Sequence, residues 1–138
     1  MTARPILLDT CAVIWLQAGT IFRPEAEAAL QEAQEIGIPV FVSPITAWEI
    51  GLLVSKGRLA LNLPPLNWFE RVLELGVDLA PLTPEILIAS SVLPSPALRD
   101  PADRIVAATA RAMRYRLMTR DRPLLDFAAS GQVQAIAC

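Results

Sequence analysis

Five acids stand where the local sequence holds a carboxylate rigidly: Asp9, Glu49, Asp100, Asp103 and Asp121. Asp9 ends the apolar run "RPILL", Glu49 sits inside the nearly all-apolar "ITAWEIGLLV", and Asp121 follows "RLMT". Asp100 and Asp103 open "DPADRIVAATARA", a stretch with the pattern of a helix start. Each has a structural explanation. Asp9, Asp100 and Asp121 suit N-cap positions, and Asp103 suits the first turn, where negative charge meets the helix dipole. Glu49 resists that explanation, because an unpaired carboxylate among apolar neighbours costs several kcal/mol. Carboxylates that converge repel one another and take up protons unless a cation neutralises them. Oxygen-only donors favour a hard divalent ion such as Mg²⁺ or Mn²⁺. Such an ion activates water and stabilises charge on a phosphoryl oxygen, so cleavage of a phosphodiester is the chemistry these residues suit.

The rest of the composition narrows the choice. The chain of 138 residues has no histidine and two cysteines, Cys11 and Cys138, with no CxxC. Zinc sites of the Cys/His kind and Ser-His-Asp or Cys-His nucleophile systems are thereby excluded, and a structural disulfide is not expected. A haloacid-dehalogenase-like phosphatase needs a second acid at position 11, which is Cys11, and a receiver domain needs a late lysine, whereas the one lysine is Lys56. The net charge is −2, but residues 99–122 hold seven arginines against three aspartates. Arg104, Arg111, Arg114, Arg120 and Arg122 in that basic segment are candidates for contacts with RNA phosphates or with an acidic partner. Trp15, Trp48 and Trp68 lie in apolar helical stretches and read as core or partner-groove residues rather than base-stacking platforms.

The elements that must position the acids follow from punctuation by proline and glycine. Apolar strands are expected at 4–8, 38–43, 77–82, 116–119 and 133–137. Helices are expected after Asp9 and at 24–37, 44–57, 66–76, 83–93, 100–115 and 121–130, with Thr83 capping the helix that begins at Pro84. Strands that are apolar throughout, alternating with helices, indicate α/β architecture with a parallel sheet between helical layers. In such sheets working residues gather beyond the carboxyl ends of the strands, which is where the acids fall. The length fits one domain spanning 1–138. The 54% hydrophobic content and mean hydropathy of +0.44 hint at a permanent partner or a dimer interface. No apolar run reaches membrane-spanning length and the first one lacks the features of a signal peptide, so a cytoplasmic location is expected, with no membrane association.

The stretches "ILLDTCAVIWL", "VSPITAWEIGLLVSKGRLAL" and "DPADRIVAATARAMRYRLMTRDRPLLDF" together resemble a PIN domain, and within that family a VapC-type toxin of a toxin–antitoxin pair. The resemblance runs from Pro5 to the final strand. It implies a three-layer α/β/α sandwich with a mainly parallel central sheet, a Mg²⁺- or Mn²⁺-dependent ribonuclease, a VapB-like antitoxin and a homodimer. Carried over residue by residue, it implies Asp9, Glu49, Asp103 and Asp121 as metal-holding and catalytic acids. Thr10 and Thr119 match supporting hydroxyl positions, and Asp100 matches a second acid that caps or stands behind the others. Relatives with "DPxDR" often carry a histidine where this chain has Leu98. The alternative is a PIN-like fold kept as a non-catalytic RNA- or protein-binding module.

Overall fold

A computed structural model describes residues 3–20 and 22–138. Among them are five strands and seven helices: β1 (Ile6–Leu8), α1 (Thr10–Gln17), α2 (Pro24–Ile36), β2 (Val40–Val42), α3 (Pro44–Ser55), α4 (Pro65–Glu74), β3 (Asp78–Leu79), α5 (Pro84–Ser91), α6 (Pro101–Met113), β4 (Arg116–Thr119), α7 (Arg122–Ala129) and β5 (Ala135–Ala137). The helix boundaries follow the chemistry of their ends. Five helices (α2, α3, α4, α5 and α6) begin with proline, whose missing N–H is no loss at that position. Thr83 caps α5 through its hydroxyl, as its sequence context indicates. Gly37 closes α2 in the left-handed conformation, which glycine adopts without a Cβ clash.

The strands pair in the order β3-β2-β1-β4-β5, and every pairing is parallel. The expected third strand shrinks to the two residues of β3, because Leu79 is half-exposed at the sheet edge and the flanking residues have no second neighbour to pair with. Along β1 the side chains alternate between two cores. Ile6 and Leu8 pack with residues of α1 to α4, including Val13, Ile50, Phe69 and Val72. Leu7 faces the other way, toward Ile86 of α5, Val106 of α6 and Phe127 of α7. Helices α1 to α4 thus cover one face and α5 to α7 the other, giving the three-layer sandwich.

Strand β1 is central, and the chain leaves it for β2 on one side and later for β4 on the other. The strand order therefore reverses between β1 and β4. In open α/β sheets the ligand crevice lies at such a switch point, beyond the carboxyl ends of the two strands, here β1 and β4. Asp9 follows β1 directly and Asp121 follows β4 by one intervening residue.

Candidate active site

Asp9, Asp100 and Asp121 are N-caps, of α1, α6 and α7 respectively. One oxygen of each accepts a backbone N–H: Asp9 Oδ1 from Ala12 at 2.7 Å, Asp100 Oδ1 from Asp103 at 3.0 Å, and Asp121 Oδ2 from Leu124 at 3.3 Å. Capping orients each carboxylate and leaves its second oxygen for another partner. For Asp9 that partner is Thr119 at the end of β4, whose hydroxyl donates to Oδ2. The Thr119 oxygen in turn accepts the Asp121 N–H at 3.0 Å. Thr119 is fully buried and so ties the ends of β1 and β4 together through the acids that follow them.

Glu49 lies on α3, its carboxylate reaching Thr10 at the start of α1, whose hydroxyl donates to Oε1. The Thr10 and Thr46 hydroxyls are 3.0 Å apart. Since Thr10 gives its one proton to Glu49, Thr46 is the donor to Thr10. Sequence reasoning missed Thr46. The signal was present, since Thr46 sits one turn before Glu49 in the same apolar helix and needs a buried partner as much as the glutamate does.

The carboxylates feel one another. Burial pushes Asp103 up to about 7, with Asp100, Asp121, Glu49 and Asp9 each adding repulsion. Asp9 is raised by burial and by Asp121, against the Thr119 hydroxyl, the Ala12 N–H and the Arg120 charge, which lower it. Glu49 is raised by burial and by Asp100 and Asp9, opposed by Thr10. Among the described residues the one salt bridge is Arg71–Glu74, on the α4 surface, so no side-chain cation neutralises this cluster by direct pairing. Loss of hydration and the same acids push the Cys11 thiol up to about 11, which leaves it protonated and a poor nucleophile or ligand at neutral pH. Among the described residues no three His, Cys, Asp or Glu side chains stand arranged to hold a metal ion together. The donor set nonetheless fits a hard divalent cation. It is oxygen-only and mutually repelling, and among the described residues the Asp103 carboxylate has no hydrogen-bond partner to hold it away from an ion.

The arginines are placed less uniformly than their clustering suggests. Arg104 belongs to a different structure from the one expected. Its guanidinium donates to the carbonyls of Ser90 (2.8 Å), Leu93 (3.2 Å), Ser95 (2.9 Å) and Leu98 (2.7 Å), so it clamps the α5–α6 connection and has no free fork for a phosphate. Arg111 and Arg114 are exposed toward the far end of α6, over 10 Å along the axis from Asp103 at about 1.5 Å per residue. Arg120 lies close enough to lower Asp9 and stacks on Trp15 with its guanidinium carbon 3.6 Å from the ring centroid. Arg122 is exposed at the start of α7, beside Asp121. Leu98 is 1% exposed in the core shared by α5 to α7, so its side chain adds nothing to the acid cluster. Cys11 and Cys138 are both unpaired thiols.

The PIN domain family matches residues 6–129, and the chain belongs to that family. It is 32% identical over 124 residues to Ribonuclease VapC22 of Mycobacterium tuberculosis, covering 86% of this chain and 88% of the relative. Among solved structures it resembles a chain of VapBC2 from Rickettsia felis, described as bound to a DNA fragment from their promoter. That likeness has a TM-score of 0.66 at 13% identity, covering 96% of this chain and 98% of the other. A toxin–antitoxin complex from Klebsiella pneumoniae gives 0.58 at 25% identity, covering 96% and 95%.

The Thr119 contact makes a direct prediction. Groups that hold a metal ligand in place cost ten- to a hundredfold in metal affinity or activity when removed. Thr119→Val is expected to lower RNA cleavage within that range, with Thr119→Ser restoring most of it. A thermal melt run alongside separates this from a folding defect, since only the valine variant should lose activity while remaining folded at the assay temperature.

Proposed function

We propose that this PIN-domain chain is the endoribonuclease toxin of a toxin–antitoxin pair, and that it works with Mg²⁺ or Mn²⁺ held by Asp9, Glu49, Asp103 and Asp121. The observation that carries the proposal is the group of three raised carboxylates at the β1/β4 crevice with no pairing cation among the described residues. The overall 32% identity to a named VapC ribonuclease supports the reaction class. The solved toxin–antitoxin relatives support a VapB-like antitoxin as partner. A homodimer is supported by the apolar patch of Leu87 and Ile88 on α5 and Val92 at its C-cap, the last two 68% and 75% exposed.

When bound, the divalent ion supplies Lewis acidity, lowering the pKa of water and stabilising charge on a phosphoryl oxygen. The chain's own residues prepare for this. The Ala12 N–H and the Thr119 hydroxyl fix both oxygens of Asp9, so the carboxylate needs no reorganisation when charge arrives. Thr10 orients Glu49 by donating its hydroxyl proton to Oε1. Burial and its acidic neighbours push Asp103 up to about 7, so a divalent cation held there would displace its proton and offset the repulsion those neighbours exert. In the hydrolysis, water oxygen bonds to phosphorus and the bond from phosphorus to the leaving ribose oxygen breaks, with the proton passing to the leaving group. Arg120 and Arg122 flank Asp121 in the sequence, and in this reading they contact neighbouring backbone phosphates.

Two measurements test this. RNA cleavage should require Mg²⁺ or Mn²⁺ and stop with a chelator or with Asp9→Ala. Cleavage indifferent to both sinks the metal-nuclease proposal, and no cleavage in either metal leaves the non-catalytic module. The second measurement is pH-dependent stability. Asp9, Glu49 and Asp103 bind protons more tightly folded than unfolded, so for these groups stability is highest below the unfolded pKa near 4 and falls as pH rises toward 7. The metal-free Tm is therefore expected to drop between pH 5 and pH 8, whereas Mn²⁺ should raise Tm more at pH 8 than at pH 5. A Tm independent of Mn²⁺ at pH 8 contradicts the metal assignment.

A further inference from the structure

Trp48 differs from the other two tryptophans in where the fold puts it. Trp68 is 7% exposed in the core, and Trp15 is half-buried beneath Arg120, but Trp48 is 54% exposed. It precedes Glu49 on α3, and the exposed indole lines the same cleft as that acid. Helical spacing places Trp48, Leu52 and Lys56 on one row of α3, and Glu49 and Leu53 on the adjacent row. Across from them stand Asp100, Pro101 and Ala102 at the start of α6, and between the two helices runs a cleft of about 180 Å³. Its lining holds the acids Glu49 and Asp100, the apolar Trp48, Leu52 and Leu53, and the cations Lys56 and Arg58, with Trp48 and Glu49 about two turns along α3 from Lys56. Glu49 and Lys56 are seven residues apart, about 10 Å along the helix axis.

The occupant that fits this lining carries a flat apolar group for the indole and a negative charge for the two cations. It must also be continuous with whatever is bound at the acids. A single strand of RNA has all three, because every base has a π-face and every nucleotide carries a phosphate. We propose that the base adjoining the scissile phosphate stacks on Trp48 while the next phosphate along the strand pairs with Lys56 and Arg58. This rests on the ribonuclease reading of the acid cluster. It makes Trp48 a substrate-positioning residue and the α3–α6 cleft a single-stranded RNA subsite. Stacking alone does not choose between bases, so sequence preference here would come from the fit of a base between Trp48 and the start of α6.

The test is binding of fluorescein-labelled octauridylate and octaadenylate to the Asp103→Asn protein in Mg²⁺, beside an abasic strand of equal charge. Trp48→Ala is expected to raise Kd for the base-bearing strands at least about fivefold, with Trp48→Phe close to wild type and the abasic strand unaffected. Lys56→Gln with Arg58→Gln should weaken all three strands and flatten the salt dependence by about 0.7 per charge removed. An unchanged Kd in Trp48→Ala overturns the subsite and assigns the cleft to the apolar face of a protein partner. Equal weakening of base-bearing and abasic strands overturns stacking as well. Cleavage by the chain carrying all its native residues, measured in Mn²⁺, keeps the two readings apart. No cleavage sinks the ribonuclease reading, whereas cleavage with a Trp48-independent Kd sinks only the subsite.

Discussion

Asp103→Asn is expected to lower kcat/KM for RNA cleavage by at least a hundredfold, and toward about a thousandfold. Groups that act through a ligand cost ten- to a hundredfold, and removing one preorganised stabiliser of developing charge costs about a hundred- to a thousandfold. A proposed ligand belongs at the upper end of that scale. The same substitution should raise the Tm of the metal-free protein at pH 8, because it deletes the carboxylate on which burial and four acidic neighbours converge. It should also reduce the stabilisation by Mn²⁺. Opposite signs for activity and metal-free stability are what a site built from mutual repulsion produces. Asp100→Asn offers the contrast: it keeps the cap on α6, since asparagine caps as well as aspartate, and its effect on cleavage should be smaller. Activity in Asp103→Asn within a fewfold of the starting protein refutes the assignment.

Arg104→Ala is expected to destabilise the fold by about 3 kcal/mol, which for a chain of this size lowers Tm by about 10 °C. Four main-chain carbonyls lose their donor at once, and the segment joining α5 to α6 loses the tie that folds it over the helix start. Arg104→Lys should rescue little, because one ammonium on a flexible stem lacks the rigid fork that reaches carbonyls of Ser90, Leu93, Ser95 and Leu98 together. Urea denaturation reads the loss directly. A phosphate-binding role makes the reverse prediction, an unchanged Tm with weaker RNA binding and a shallower salt slope.

The sequence made the layered architecture legible because apolar runs and helix-start residues act locally. Asp9, Asp100 and Asp121 as caps, Thr83 over α5 and Gly37 after α2 are all statements about a few neighbouring residues. The convergence of acids was legible one step further out, through the rule that parallel strands deliver their carboxyl ends to one edge. Contacts between distant elements were not. The Thr46–Thr10–Glu49 chain joins α3 to α1, and nothing near Thr46 in the sequence names its partner. Arg104 shows the opposite failure. Its place in a basic run suggested a ligand-facing charge, but its surroundings are set by how residues 90–98 fold back over α6, which periodicity does not describe. Trp48 likewise shares its apolar helix with core residues, and only the packing of α3 against α6 decides which side of it stays open.

The capping role of three of the acids bears on how such a chain changes over generations. At Asp9, Asp100 and Asp121 one carboxylate oxygen serves the helix as its cap, and at Asp9 the other accepts the Thr119 hydroxyl. Asparagine keeps the first contact while removing the negative charge. At Asp9 or Asp121 a single-base change in the aspartate codon can therefore silence the proposed chemistry and leave the scaffold nearly as stable as before. An inactive descendant that still folds, and still offers its surfaces to partners, lies one mutation away from the enzyme.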